Sequence, residues 1–187
     1  MNFFHTGLDH NSTYFEHNLS SKKIPSIFIH GVGLDNTMWT PQKKFFQNQQ
    51  VIFYDLLNHG KSKKNYKKIN FGDLVNQLNL LIEYLNIKKI NLIGFSIGAL
   101  IAQHFTSKYY KKINKLVIIS SVFNRSKEQI VRVKERYKIA LSGKSISNNS
   151  INRWFNRTYL NNNQNVYEYF YNILEKKNNK NFLPAYE

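Results

Sequence analysis

The chain has 187 residues, 42% of them hydrophobic, which suffices for about one domain with a sizeable core, and its lack of cysteine excludes disulfide scaffolds, zinc ribbons and thiol nucleophiles. No apolar run approaches the roughly 18 residues of a membrane span, and His5, Asp9 and His10 lie where a signal peptide is apolar, so we expect a soluble, cytoplasmic protein without a membrane partner. The net charge of +16 would suit a protein that binds nucleic acid. However, 22 of the 27 basic residues are lysines, and many of them lie in loop-like stretches at 61–68 and 111–115. Nucleic-acid sites favour arginine, so we expect a solvated surface and no nucleic-acid partner.

Short runs rich in β-branched and aromatic residues predict strands in the first two thirds of the chain. They cover residues 13–16, 26–30, 51–55, 90–95 and 116–120. The last three are nearly continuous apolar runs, which are typical of buried parallel strands. Residues 73–85 and 97–109 place apolar side chains at helical spacing between these strands. Strands that alternate with helices predict an α/β fold.

The pattern changes after residue 122, and no comparable strand run follows. Helical spacing recurs instead, over residues 129–141, 147–159 and 165–176. We therefore expect an α/β region over residues 1–122 and a helical segment over residues 123–187. That segment is either a separate small domain or a lid over the carboxyl ends of the strands, where ligands bind in such sheets.

The clearest motif is Gly94-Phe95-Ser96-Ile97-Gly98, which follows a predicted strand and precedes a predicted helix. A sharp turn between the two lifts the serine hydroxyl above the sheet, and the flanking glycines permit close backbone packing. We predict Ser96 as a nucleophile and the Ile97 N–H, at the positive end of the helix dipole, as an oxyanion donor. The simpler alternative is that Ser96 only caps the helix.

A second motif, His30-Gly31-Val32-Gly33, ends the predicted strand at 26–30 with a glycine-containing turn. Loops of this kind supply the other oxyanion donor, and the position favours the backbone N–H of Val32. His30 suits a hydrogen-bonding role in the loop better than the role of a base. It precedes Ser96 in the chain, whereas the base of such a site follows the nucleophile.

Together with residues 55–62, which include Asp55 and His59-Gly60-Lys61-Ser62, these motifs resemble the α/β-hydrolase superfamily over residues 24–122. The resemblance implies a mostly parallel sheet flanked by helices, followed by the start of a helical cap. It also implies that the region of Asp55 and His59 forms a structural loop beside the site, so neither residue is assigned to catalysis.

Within the superfamily, Arg153-Trp154-Phe155 and Met38-Trp39 are similar to the cap and oxyanion loop of 3-oxoadipate enol-lactonases. The resemblance implies a carboxylate-bearing substrate, with Trp154 lining the pocket and Arg153 holding the carboxylate through its planar fork. The alternatives are that Trp154 and Phe155 only pack the cap, and that the arginines of this region lie on exposed helix faces. The sequence departs from the family pattern at Asn58 and Ala99, where glycine is usual.

The partners that Ser96 needs are missing from the chain. A serine nucleophile requires a base and an orienting acid, which in this fold follow it as an acid and then a histidine. The last aspartate, Asp73, precedes Ser96, and the only histidine after Ser96 is His104. His104 lies eight residues beyond Ser96, about 12 Å along a helix, which is too far for it to act as the base. We expect His104 on the helix surface or in packing.

In the family, further strands and helices after the cap carry the acid and the histidine. We therefore expect this chain to be a C-terminally truncated hydrolase, with the strand at 116–120 left unpaired and its apolar neighbours uncovered. The predicted function is hydrolysis of carboxylic esters or lactones through Ser96, without a metal or organic cofactor. The alternative is a hydrolase-like module that binds a small molecule without catalysis.

Overall fold

The computed structural model describes residues 4–21, 23–62, 66–122, 124–175 and 180–185. Lys63, Lys64, Phe123 and the predicted helix end at residue 176 lie outside them. The strands form one six-stranded sheet in the order β1-β2-β4-β3-β5-β6. They span β1 (His5–Leu8), β2 (Tyr14–Asn18), β3 (Ser26–Ile29), β4 (Val51–Tyr54), β5 (Ile90–Phe95) and β6 (Ile113–Ile119).

The sheet is mixed. β1 pairs with β2 and β2 with β4 in antiparallel fashion, whereas β4, β3, β5 and β6 run parallel to one another. The carboxyl ends of these four parallel strands therefore meet at one edge, which is where loops from different strands come together. β4 is buried along its whole length, as its apolar run predicted.

Helices cover both faces of the sheet. They are α1 (Thr40–Phe46), α2 (Phe71–Tyr84) and α3 (Ile97–Lys108). The apolar stripes of α2 and α3 pack with one set of strand residues, including Ile27 and Ile52, while Phe28 and Phe53 point to the other face with Trp39 and Phe46. This alternation follows from the two-residue period of a strand.

The chain after β6 is helical in its described residues, and we call this part the cap. Its helices are α4 (Lys127–Leu141), α5 (Ser147–Trp154), α6 (Arg157–Asn162) and α7 (Gln164–Glu175), followed by a 3-10 turn at Lys180–Ala185. The prediction of one helix over 147–159 is wrong. Phe155 is extended, and the Asn156 side chain accepts a hydrogen bond from the Thr158 N–H, which starts a new helix.

The strand predicted near residues 116–120 is present as β6, which pairs in parallel with β5, but the prediction that it is buried is wrong. β6 lies at the edge of the sheet, and Leu116, Val117 and Ile118 are 37%, 46% and 40% exposed. Within the described residues no strand pairs with its outer side, as we expected of this edge. An apolar edge with free backbone groups is a surface that other strands pair with.

Candidate active site

Ser96 lies in the turn between β5 and α3 with φ 56° and ψ −117°, a backbone conformation that non-glycine residues rarely adopt. The turn is fixed from the neighbouring strand, because the Ser96 N–H donates to the carbonyl of Ile119 at 3.0 Å. The Ser96 side chain makes no capping hydrogen bond to α3. The simple capping role is therefore not the one the hydroxyl plays, and the strained backbone points to a functional position.

The glycines on either side of Ser96 are required by close backbone contacts. A Cβ on Gly94 would lie 2.3 Å from the carbonyl oxygen of Gly98, and a Cβ on Gly98 would lie 2.5 Å from that of Ile29. These contacts seat the start of α3 directly against β3. The Gly-x-Ser-x-Gly spacing is thus a packing requirement of this turn.

The two predicted oxyanion donors belong to adjacent segments of the structure. Val32 follows β3, and Ile97 is the first residue of α3. Among the described residues, no backbone carbonyl accepts a hydrogen bond from either N–H. The Gly33 N–H, by contrast, donates to Nε2 of His59 at 3.0 Å. Within this loop the Gly33 N–H is thus engaged by His59, whereas the Val32 N–H has no backbone acceptor among the described residues.

Two buried imidazoles tie the loop after β3 to the loop after β4. His30 Nε2 accepts a hydrogen bond from the Leu56 N–H at 2.9 Å, and its Nδ1 lies 2.8 Å from the Gly31 carbonyl. His59 Nδ1 likewise faces the Leu57 carbonyl at 2.7 Å. Because each Nε2 accepts, the proton of each neutral ring is on Nδ1. Both histidines act through hydrogen bonds that shape the loop, as proposed for His30.

Asp55 completes this connection and is fully buried. Its Oδ1 accepts from the N–H and the amide of Asn36 at 2.7 and 2.8 Å, and its Oδ2 accepts from the Lys61 N–H at 2.8 Å. The pKa of the Asp55 carboxyl is raised above its usual value, first by burial and then by the neighbouring Asp35. The three hydrogen bonds oppose this rise without cancelling it. Asp55 thus holds the far end of the loop that carries Val32.

Asp55→Ala is expected to lower the free energy of unfolding by about 3 kcal/mol or more, because two buried donors of Asn36 and the partly buried N–H of Lys61 lose their acceptor. Urea denaturation measures the loss. The matched control is Asp73→Ala, which removes one 2.8 Å hydrogen bond from the Asn70 N–H at the start of α2 and is expected to cost about 1 kcal/mol. Equal losses in the two variants would show that Asp55 does not hold the loop.

Ser96 lines two cavities between the sheet and the cap. A narrow cavity is bounded by Val32 and Phe182, and a wider one, of about 530 Å³, is bounded by the loop after β6 and by α4. Phe95, Arg153 and Trp154 line both of them. The structure therefore brings together Ser96, Val32, Arg153 and Trp154, whereas Ile97 lines neither cavity and packs its side chain against the core.

Trp154 both packs within the cap and lines the cavities of Ser96. Its ring packs edge-on against Phe170 of α7, 6.1 Å between centroids, and it also faces the cavities of Ser96. Phe155 turns away, stacks on Tyr159 and lines a separate apolar cavity of about 740 Å³. Phe182, which belongs to no motif recognised in the sequence, closes the narrow cavity from the C-terminal 3-10 turn, with its ring centroid 6.2 Å from that of His59.

No described carboxylate or imidazole lines either cavity of Ser96. His104 is exposed on α3, where its ring meets the edge of Phe71 with 5.5 Å between centroids. Glu128 forms an exposed ion pair with Arg132. Across the described ranges there is also no group of three His, Asp or Glu side chains that could hold a metal ion, and no helix there is long and apolar enough to cross a membrane.

Comparison with known proteins gives a family and several relatives. A family model described as alpha/beta hydrolase fold matches residues 26–165. The chain is 27% identical over 146 residues to the (E)-2-((N-methylformamido)methylene)succinate hydrolase of Acinetobacter baylyi, covering 78% of this chain and 54% of that protein. It is 22% identical over 143 residues to 3-oxoadipate enol-lactonase 2 of the same organism, covering 76% and 54%.

Solved structures agree in fold. The enol-lactonase from Burkholderia xenovorans LB400 superposes with a TM-score of 0.81 at 18% identity, covering 94% of this chain and 70% of that one. The predicted fold and the resemblance to enol-lactonases are therefore confirmed. The chain spans about half the length of the two curated relatives named above.

Proposed function

The chain belongs to the α/β-hydrolase fold family, and from this premise we propose that it is the nucleophile-bearing part of a serine hydrolase of carboxylic esters or lactones. The observation that carries the proposal is the strained turn at Ser96. The Ser96 side chain makes no capping hydrogen bond to α3, and Ser96 lines two cavities. In this proposal residues 1–122 form the core and residues 123–187 the cap.

In the proposed reaction, Ser96 Oγ attacks the acyl carbon and gives its proton to a base. The carbonyl oxygen becomes the oxyanion of a tetrahedral intermediate, which the N–H groups of Val32 and Ile97 stabilise. The intermediate expels the alcohol or enol oxygen, which takes the proton from the base, and leaves an acyl group on Ser96. Water then gives a proton to the base and attacks the acyl carbon. The second tetrahedral intermediate expels Ser96 Oγ, which takes that proton back, and the carboxylic acid is released.

The base and its orienting acid are proposed to come from polypeptide outside residues 1–187. The described residues that line the cavities include no carboxylate or imidazole, and the relatives are longer, and both observations support this. The test is to sequence the native gene beyond the codon of Glu187 and to express the whole reading frame, here called the complete hydrolase. We expect an acid followed by a histidine, and hydrolysis of a simple ester. A stop codon directly after Glu187 would contradict the proposal.

A non-catalytic binding module is the second candidate, and the same missing groups favour it. It predicts that the protein encoded by the native gene binds small molecules in the cavities of Ser96 and hydrolyses no ester. The assay of the complete hydrolase separates the two candidates, because only the serine hydrolase turns over.

The names of the two Acinetobacter baylyi relatives indicate a succinate derivative and an enol-lactone of 3-oxoadipate as their substrates. We propose by analogy that the substrate of this protein carries a carboxylate, with Trp154 against its body and Arg153 holding the charge. Arg153 suits the role because it lines both cavities of Ser96.

Arg153→Ala in the complete hydrolase is expected to lower kcat/KM for a carboxylate-bearing lactone by about 10- to 100-fold, the range for a lost charge-assisted hydrogen bond. Hydrolysis of a neutral ester is expected to change by less than about threefold, because that substrate has no charge for the guanidinium to bind. Equal losses on both substrates, or no loss, would exclude carboxylate recognition by Arg153.

A further inference from the structure

Lys43 is set apart from most of the lysines in this basic chain. Among the lysines whose side chains the structure describes, only Lys43 and Lys112 are not exposed. Lys43 is the more buried of the two, with 12% of its side chain exposed against 29% for Lys112. Taking an ammonium group out of water costs free energy unless its N–H groups find acceptors. The contacts of Lys43 therefore decide what it does in the fold.

The Lys43 ammonium group, which α1 carries, has three neighbours. It donates to Glu16 Oε2 at 2.7 Å and to Asn36 Oδ1 at 2.5 Å, and it lies 5.3 Å from the centroid of the Phe53 ring. An ammonium group has three N–H donors and is attracted to the face of an aromatic ring, so these neighbours satisfy it. The position of Lys43 is thus fixed by contacts with three different parts of the chain.

Asn36 connects Lys43 to the loop that carries Val32, here called the Val32 loop (residues 30–35). Asn36 directly follows this loop and is 2% exposed. Its amide oxygen accepts from Lys43, so its amide nitrogen faces Asp55 and donates to Oδ1 at 2.8 Å, beside the Asn36 N–H at 2.7 Å. The opposite orientation would place the NH₂ group against the ammonium group. Lys43 therefore keeps the Asn36 amide in the orientation that binds Asp55.

Glu16 leads back to the same carboxylate by a second route. Its Oε1 accepts from the Tyr14 hydroxyl at 3.2 Å, and that hydroxyl accepts from Lys61 Nζ, also at 3.2 Å. The Lys61 N–H donates to Asp55 Oδ2 at 2.8 Å. The contacts thus close into a ring of Asn36, Asp55, Lys61, Tyr14, Glu16 and Lys43. Each member is held from two sides, so the ring restrains the end of the Val32 loop more firmly than Asp55 alone.

We propose that Lys43 is a positioning residue of the Ser96 site, which holds the Val32 loop through Asn36 so that the Val32 N–H stays where the oxyanion forms. This inference rests on the proposed function for the reaction and adds the side chains that keep its oxyanion donor in place. A donor stabilises an oxyanion most when it is held in position before the reaction. Lys43 and Glu16 line neither cavity of Ser96, so both act without touching the substrate.

Lys43→Met removes the charge and the donors but keeps a long side chain. In the complete hydrolase we expect it to lower kcat for a simple ester, per folded enzyme, by about tenfold or more, and to leave KM within about threefold. The reason is that the oxyanion contact is made only in the transition state. A rise in KM without a fall in kcat would overturn the proposal.

The matched control is Lys44→Met, because Lys44 is the next residue of α1 and is exposed. Its kcat is expected to stay within about twofold of the unsubstituted enzyme, and an equal kcat in the two lysine variants would overturn the proposal. Should Lys43→Met not fold, Glu16→Gln takes its place, since it keeps the shape of the side chain and removes the charge that holds Lys43. We expect it to lower kcat by about threefold or more, and an unchanged kcat would equally overturn the proposal.

Amide hydrogen exchange of residues 1–187, followed by nuclear magnetic resonance, tests the positioning without the reaction. The Gly33 N–H in the Val32 loop donates to His59, and β5 is an interior strand of the sheet. In Lys43→Met we expect exchange at Gly33 to rise by about tenfold or more and exchange in β5 to change by less than about threefold, because only the loop is released. Equal rises at both places, or no rise at Gly33, would overturn the proposal. An inactive complete hydrolase together with the expected exchange would refute only the proposed function.

Discussion

Ser96→Ala is expected to lower kcat/KM of the complete hydrolase for a carboxylic ester by about 10,000-fold or more, the effect of removing the nucleophile from a serine hydrolase. The physical reason is that no other hydroxyl occupies the strained turn at the start of α3. Steady-state kinetics with a chromogenic ester measures the loss.

The matched control is Ser107→Ala on the same helix. Ser107 is exposed near the end of α3, and its hydroxyl donates only to the carbonyl of His104 at 3.1 Å. We expect its kcat/KM to stay within about twofold of the unsubstituted enzyme, as is usual for surface substitutions. A loss of less than tenfold in Ser96→Ala would show that Ser96 is not the nucleophile.

Gly98→Ala is expected to lower the free energy of unfolding by about 3 kcal/mol or more, the upper range for overpacking. The new methyl group would lie 2.5 Å from the carbonyl oxygen of Ile29 and 2.7 Å from that of His30. Both are backbone atoms at the end of β3, so neither can move without shifting the loop that carries Val32. Urea denaturation of residues 1–187 measures the loss.

Gly72→Ala is the control for this substitution. In the first turn of α2 an added Cβ meets only the Asn70 side chain, at 3.0 Å. Alanine is also the better helix former, so we expect a change of about 1 kcal/mol or less. If Gly98→Ala unfolded at the same urea concentration as Gly72→Ala, the close packing of α3 on β3 would not be what requires glycine at residue 98.

The turn at Ser96 was predictable because its signal is local. An apolar strand run, the Gly-x-Ser-x-Gly spacing and a helical stripe follow one another within twenty residues. The first strand and α1 were not predicted. β1 (His5–Leu8) is mostly exposed and lacks an apolar alternation, and α1 buries no residue fully, so neither carries the hydrophobic period on which such predictions depend.

The hydrogen bonds that hold the loop after β3 could not be predicted from the sequence, for a different reason. His59 reaches Gly33 across 26 positions and Asp55 reaches Asn36 across 19, and nothing local in the chain specifies these pairs. The same holds for the arginines. Their clustering between residues 125 and 157 is visible in the sequence, but only the packing of α4 and α5 over the sheet shows that four of them line one cavity.

The role of Ser96 as the nucleophile is tested most directly by covalent labelling of the complete hydrolase with a fluorophosphonate, followed by peptide mass mapping. We expect one adduct per chain on the peptide that contains Ser96, none in Ser96→Ala, and labelling of residues 1–187 alone at least about 1,000-fold slower because the base is absent. An adduct on another residue, or labelling of residues 1–187 as fast as that of the complete hydrolase, would contradict the proposed mechanism.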